Sequence, residues 1–293
     1  MTDYEELFRE LAVPRRVGTT NHQRVREVLK RELIARGFSV REHAFTGRPS
    51  RAFLGAPRSI AGVNLIADRP SGRSAVQPSV WLVAHYDSKG QPISMSLRLI
   101  GFGALVAGVV ALIASFATAA VLLFLGLLIV SQNRVTDNSP GALDNATGLV
   151  AVFMAIDAMT QSGEVGIIFP DAEEYGLVGA RALVQDHAGL LADAAVINLD
   201  GLDDTGRPTA FLHRPGRLGM AVADTLGARR WRWLPVIVDG IALAPATREC
   251  ISILKGNWRT MRVVHTPRDV AARVRLDGAA HVAAGLARVL RGP

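Results

Sequence analysis

Five places in this sequence set a side chain that can bind a metal ion or carry a proton beside an apolar run. In WLVAHYD, His85 and Asp87 come just after an apolar stretch that reads as a strand. In open α/β sheets, ligands bind at the carboxyl ends of strands. A histidine there can bind metal, and an aspartate two residues on can orient its imidazole. In GALDNATG, Asp144 precedes a helix whose first turn is rich in small residues. VGIIFPDAEEYGLVGAR ends a strand in the adjacent carboxylates Glu173 and Glu174. Such neighbours repel unless a cation or a proton intervenes, so one can bind metal while the other holds a water's proton. In VINLDGLD, Asp200 ends another apolar run, and in VVHTPRD, His265 follows the strand-like residues 261–264. Taken alone, each has an ordinary reading: a structural histidine, a helix N-cap at Asp144, a solvated glutamate pair, a polar turn residue. Together they run His, Asp, Glu-Glu, Asp, His. Mixed histidine and carboxylate ligation without cysteine suits a catalytic zinc site rather than a structural one.

The elements that must position these residues alternate. Residues 21–36 carry Val25, Val28, Leu29 and Leu33 at helical spacing. Thr20 or Asn21 can cap that helix, and Gly37 suits its C′ position. Residues 38–45, 63–67, 80–84, 165–169, 195–199 and 234–238 read as strands. Residues 148–159, 177–186, 218–226 and 276–290 read as helices, and 68–78 as a turn-rich loop. The alternation predicts one α/β domain over 1–293, an open, mostly parallel, mixed sheet with helices on both faces. With 293 residues, 49% of them hydrophobic, the chain is ample for a buried core, and 20% charged residues argue against disorder.

The net charge of +7 fits a nucleic-acid or an anionic-membrane partner. No RNP, zinc-finger or helix-turn-helix signature is present, so no nucleic acid is expected and the membrane is favoured. The first residues lack an apolar h-region, so no cleavable signal peptide is expected. Cys250, the single cysteine, reads as a small core residue. Arg229, Arg230, Trp231, Arg232 and Trp233 read as a half-buried strand with both tryptophans on one face, the alternative being a lipid-contacting edge. His22, His43, His187, His213 and His281 read as surface or packing residues.

One segment breaks the pattern. Leu99 to Val130 holds 32 consecutive residues without a charge. It predicts an apolar helical hairpin inserted over 97–131, a membrane anchor with transmembrane-type helices. The alternative is a soluble hairpin buried in a dimer interface. His85 precedes the run and Asp144 follows it, and both are needed at one site, so both ends must lie on the same side. Folded near 115–118, each arm has roughly 15 residues, about 23 Å at about 1.5 Å per residue, short of a hydrocarbon core of about 30 Å. The hairpin is therefore expected to dip into the bilayer or thin it, with Ser115 and Thr118 supplying partners at the turn. Lys89, Arg98 and Arg134 flank the run, which places the catalytic domain on the cytoplasmic face.

The strings AHYDS, GALDNATG, EEYGLVGAR, NLD and HTPRD resemble the dinuclear zinc aminopeptidases related to bacterial leucyl aminopeptidase and yeast aminopeptidase Y. PRRVGTTNHQRVREVLKRELIARGF and VNLIADRPSG resemble that family's leading segments. The resemblance implies a zinc-exopeptidase fold acting on peptides with two zinc ions per chain. It implies that Asp144 bridges the ions, that His85 and Asp200 complete one ligand set, and that Glu174 and His265 complete the other. It further implies that Glu173 is the general acid/base and that Asp87 orients His85. Two metals about 3.5–4 Å apart can share a water, whose proton Glu173 takes and later delivers to the leaving amine. Two features depart from the family. Its usual Ser-Asp pair corresponds to PATRECISI, with Thr247 and Arg248, and Asp87 lies 57 positions before Asp144 because of the apolar run. Two other functions stay open: a glutaminyl-cyclase-like acyltransferase, since cyclases share the family and AHYDSK is similar to theirs, and a non-catalytic membrane-associated scaffold.

Overall fold

The computed structural model describes residues 2–49, 56–69, 77–159, 165–232 and 236–291. Its centre is an eight-stranded mixed sheet in the order β1-β2-β4-β3-β5-β8-β6-β7. β3 (Val80–Val83), β4 (Val165–Phe169), β5 (Ala195–Leu202) and β8 (Glu249–Gly256) form its parallel middle. Helices cover both faces, so β3, β4 and the start of β5 read as continuous apolar runs rather than alternating ones. β1 (Ser39–Gly47) and β2 (Ile60–Asp68) pair antiparallel at one edge. At the other edge β6 (Arg207–Arg214) is antiparallel to β8, and β7 (Arg229–Trp231) is parallel to β6.

Side-chain alternation along β3 divides the core in two. Val80 and Leu82 pack with α1 (Tyr4–Leu11), α2 (Thr20–Ala35), α5 (Thr147–Ala158), α7 (Arg217–Thr225) and α9 (Asp277–Leu290). Trp81 and Val83 face α6 (Val178–Leu191) and α8 (Asp239–Leu243), where Cys250 is buried as expected of it. The capping residue of α2 is Thr19, whose hydroxyl accepts from the His22 N–H, one position before the expected cap. Gly37 has φ +78°, as a C′ glycine requires.

Several local expectations are corrected. Residues 261–264 are not a strand; Thr260–Arg262 is a 3-10 turn. The strand expected over 234–238 falls partly outside the described residues, and 236–238 carry no strand. Of the loop over 68–78, residues 70–76 lie outside them too. β7 is fully exposed rather than half-buried, with Trp231 54% accessible, and Trp233 lies outside the described residues. The eight-residue α1, β6 and β8 have no counterpart in the sequence reading.

The apolar run forms α3 (Met95–Ala111) and α4 (Phe116–Val130). Three glycines let them pack antiparallel. A Cβ on Gly101 would meet Ile129 at 2.6 Å, one on Gly108 would meet Leu123 at 2.8 Å, and one on Gly126 would meet Leu105 at 2.8 Å. The turn lies over 112–115 rather than 115–118, and Ser115 caps α4 by accepting from Thr118 N–H. The outer faces are bare: Val106, Ile113, Phe116 and Phe124 are all exposed. Among the described residues no helix is long and apolar enough to cross a membrane. The transmembrane helix expected from the run is therefore not found: its 32 residues divide into two arms too short to span.

Candidate metal centre

β3 ends at Val83, but the chain continues alongside β4's exit, with Ala84 N–H donating to Ile168 O and Tyr86 N–H to Pro170 O. His85 and Asp87 thus leave the sheet at its carboxyl end. β4 exits through Ala172 in the left-handed region, φ +56°, into the 3-10 turn Glu173–Tyr175. The buried Asp171 carboxylate holds this exit. It accepts from Val63 N–H, Tyr86 Oη and Ala172 N–H, and lies 2.8 Å from His22 Nε2. Asp87 has two tasks: its Oδ1 lies 3.3 Å from His85 Nδ1, and its carboxylate accepts from the N–H groups of Glu173 and Glu174. It thus sets a histidine and the glutamate pair in one frame.

Asp144 lies in a loop whose shape is set by side chains. Asp269 accepts from the N–H groups of Leu143 and Asp144. Asn145 donates to Leu199 O and accepts from Gly201 N–H, tying that loop to the backbone on both sides of Asp200. The wholly buried Arg15 guanidinium donates to Tyr86 O, Pro140 O and Gly141 O, joining the His85 and Asp144 segments.

These devices bring all five candidate ligands together in two groups that share one residue: His85, Asp144 and Asp200, and Asp144, Glu174 and His265. His85 Nε2 lies 3.0 Å from Asp144 Oδ1 and 3.9 Å from Asp200 Oδ1. His265 Nε2 lies 2.9 Å from Asp144 Oδ2 and 3.0 Å from Glu174 Oε1. Ligands about 2.05 Å from a tetrahedral zinc stand about 3.3 Å apart, close to these separations. His265 Nε2 and Glu174 Oε1 are buried and face each other, yet neither has a hydrogen-bond partner among the described residues. A cation between them satisfies both, so the donor set fits metal. Asp144 and Asp200 keep 12% and 11% side-chain exposure, the most of the five, and mark the mouth.

The carboxylates are held in different states. Burial favours protonation of Asp144, but the His265 and His85 rings close against its two oxygens outweigh it and hold its pKa well below the usual range. Glu174 is lowered to about 2: burial opposes ionisation, while His265 and Lys89 favour it. Glu173 belongs to neither group, and burial, aided by Asp200 and Glu174 against His85, pushes its carboxyl well above the usual range. Two adjacent glutamates thus have opposed tendencies, Glu174 towards the ionised and Glu173 towards the protonated form.

His265 is reached differently from the expectation, on a tight turn with φ +63° rather than at a strand end. Thr247 donates to Ala244 O and Arg248 to Asp193 O, so neither supplies the expected pocket pair. The residue overlooked there is Asp239 at the start of α8, wholly buried. Burial first, then Asp87 and Asp200 against His85, push it up to about 8. Lys89 flanks the apolar run in sequence, yet its Nζ pairs with Glu174 Oε2 at 2.9 Å. Arg98, the next flank, donates from Nη2 to His265 Nδ1 at 2.6 Å.

Sheet and site together define a mixed α/β protein built around a candidate metal centre. Residues 64–231, more than half of the chain, match the sequence profile of Peptidase family M28, and the chain belongs to that family. A comparison with curated proteins gave no match. Among solved structures, glutaminyl cyclase from Porphyromonas gingivalis superposes with a TM-score of 0.67 at 19% identity, over 98% of this chain and 96% of that one. BSAP, a zinc aminopeptidase from Bacillus subtilis, superposes with a TM-score of 0.65 at 13% identity, over 97% and 93%. An aminopeptidase from Aneurinibacillus sp. strain AM-1 gives a TM-score of 0.64 at 10% identity, over 98% and 92%. At these identities the likeness is one of fold.

Proposed function

We propose that this chain is a zinc-dependent aminopeptidase that removes N-terminal residues from peptides. The observation that carries the reading is the pair of donor groups sharing Asp144, with Glu173 beside them but in neither. His85 and Asp200 would hold one zinc ion, Glu174 and His265 the other, with Asp144 common to both. Zinc bound there supplies a lowered water pKa and polarisation of the scissile carbonyl. Glu173, with its raised pKa, takes the proton of the attacking water and passes it to the leaving amine. Asp87 holds the His85 ring and the Glu173 backbone in register for that transfer. A free substrate α-amine placed beside one metal position restricts cleavage to chain ends.

Purified protein is expected to release the first residue from peptides with a free N-terminus. N-acetylated copies should react about 10–100-fold slower, the loss of one or two charge-assisted contacts. Equal rates on acetylated peptides point instead to an endopeptidase or a carboxypeptidase.

A second reading, a glutaminyl-cyclase-like acyltransferase with one zinc, draws on Lys89, which occupies one oxygen of Glu174. Conversion of N-terminal glutamine peptides without hydrolysis of leucyl peptides favours it. The α3–α4 hairpin, in this proposal, enters a bilayer from one side without crossing it. Its arms, about 26 and 23 Å at about 1.5 Å per residue, reach into the hydrocarbon and return. Of the basic flanks, Lys89 and Arg98 turn inward to the site, and the exposed Arg134 favours the cytoplasmic face.

A further inference from the structure

The root of the apolar hairpin and the candidate metal centre are one piece of structure. Gln91 N–H donates to His265 O at 2.7 Å just before α3 begins, and Arg98 in its first turn donates to the His265 ring. Across the neck, Gly90 pairs with Thr136. α3 also packs against the 3-10 turn Thr260–Arg262. The loop that carries this turn ends at His265 and exposes Trp258, Arg259 and Arg262. Exposed Arg134 follows α4. Apolar helices rising from a collar of arginine and tryptophan are the pattern of a chain seated at a membrane surface.

The far edge of the sheet places one more arginine at the site's end. Arg229 pairs with Thr209, and Thr209 with Leu254, one residue past the Ile253–Leu199 pair, which sets Arg229 level with Asp200. The exposed β7 therefore begins, at Arg229, at the same end of the sheet as the site and runs back from it, with Trp231 level with Asn198. The covering partner is lipid rather than a second copy, because beyond their root α3 and α4 are exposed on every side except the seam between them. Val106, Val109 and Val110 on one helix and Val121, Phe124 and Leu128 on the other are bare, and a second copy would cover one face only. The arginines fit an anionic surface.

We infer that the active site opens at the surface of an anionic bilayer and that its substrates are peptides held at that surface with a free N-terminus. This rests on the aminopeptidase reading. Its distinguishing consequence is geometric: Arg98, whose guanidinium meets the His265 ring, stands one residue before the uncharged run that begins at Leu99. A substrate tethered close to the lipid can therefore reach it.

The test uses the full chain with phosphatidylcholine–phosphatidylglycerol vesicles and three leucyl peptides of one N-terminal sequence. One is free, one is anchored by a palmitoyl group four residues from the N-terminus, and one is anchored twenty residues away. Four extended residues reach only about 14 Å. The expected result is that the protein floats with the vesicles. Both tethered peptides should release leucine within about twofold of each other and at least tenfold faster than the free one. Phe116→Lys, at the exposed tip of the hairpin, should remove the advantage of the tethered peptides and leave the free-peptide rate unchanged. A short-tether rate tenfold below the long-tether rate overturns the inference, because the site then stands off the bilayer. So does cleavage of the free peptide by a protein that stays with the aqueous phase as a dimer. Release from none of the three removes the aminopeptidase reading itself.

Discussion

Replacing Glu173 by glutamine is expected to lower kcat by about 10²–10⁴-fold, the usual cost of losing a general base, while zinc content and melting temperature stay near wild type. Three observations lead to this. Glu173 is buried but stands outside both donor groups, so its loss removes no ligand. Its carboxyl is pushed well above the usual range by burial, with Asp200 and Glu174 adding to the effect against His85, as suits a group that must take and return a proton near neutral pH. Its position is fixed through the backbone N–H to Asp87, which glutamine keeps. Turnover near the wild-type rate removes Glu173 from the proton transfer. Loss of zinc from the variant shows instead that it is a ligand.

Asp144→Ala is expected to be equally severe for a different reason. Its two oxygens face different histidines, Oδ1 towards His85 and Oδ2 towards His265, so a single truncation takes a donor from both groups. Zinc bound per chain should fall at both positions and activity should drop by about 100-fold or more, beyond the 10–100-fold that loss of an outer partner typically costs. The loop itself should survive, because Asp269, Asn145 and Arg15 hold its backbone independently of the Asp144 side chain. His85→Ala should weaken chiefly one position. Two zinc ions retained by Asp144→Ala would remove the shared role.

The parallel middle of the sheet was legible because β3, β4 and the start of β5 are uninterrupted apolar runs flanked by turn residues. The candidate site was legible in part because residue types able to bind metal, His85, Glu174 and Asp200, stand at the ends of those runs. β8 was not, because ECISILKG opens and closes with charge, and the burial of Glu249 and Lys255 depends on partners distant in sequence. Lys255 bonds the carbonyls of Asp203 and Asp204, and Glu249 accepts from Gly219 N–H. The frame behind the ligands was equally hidden. Nothing local in PRR predicts that Arg15 collects carbonyls from residues 86, 140 and 141, or that the Asp269 of HTPRD shapes the loop of Asp144. The apolar run was plain from composition, and its arm lengths followed from counting. That its first turn sends Arg98 to His265 depends on how the hairpin is rooted, which periodicity does not encode.

The central claim is that two metal positions share Asp144. A crystal of the zinc-loaded protein measured at the zinc absorption edge tests it most directly. Two anomalous peaks are expected in each chain, one among His85, Asp144 and Asp200 and one among Asp144, Glu174 and His265. A single peak among Asp144, Glu174 and His265, with none beside His85 and Asp200 at saturating zinc, would contradict the account.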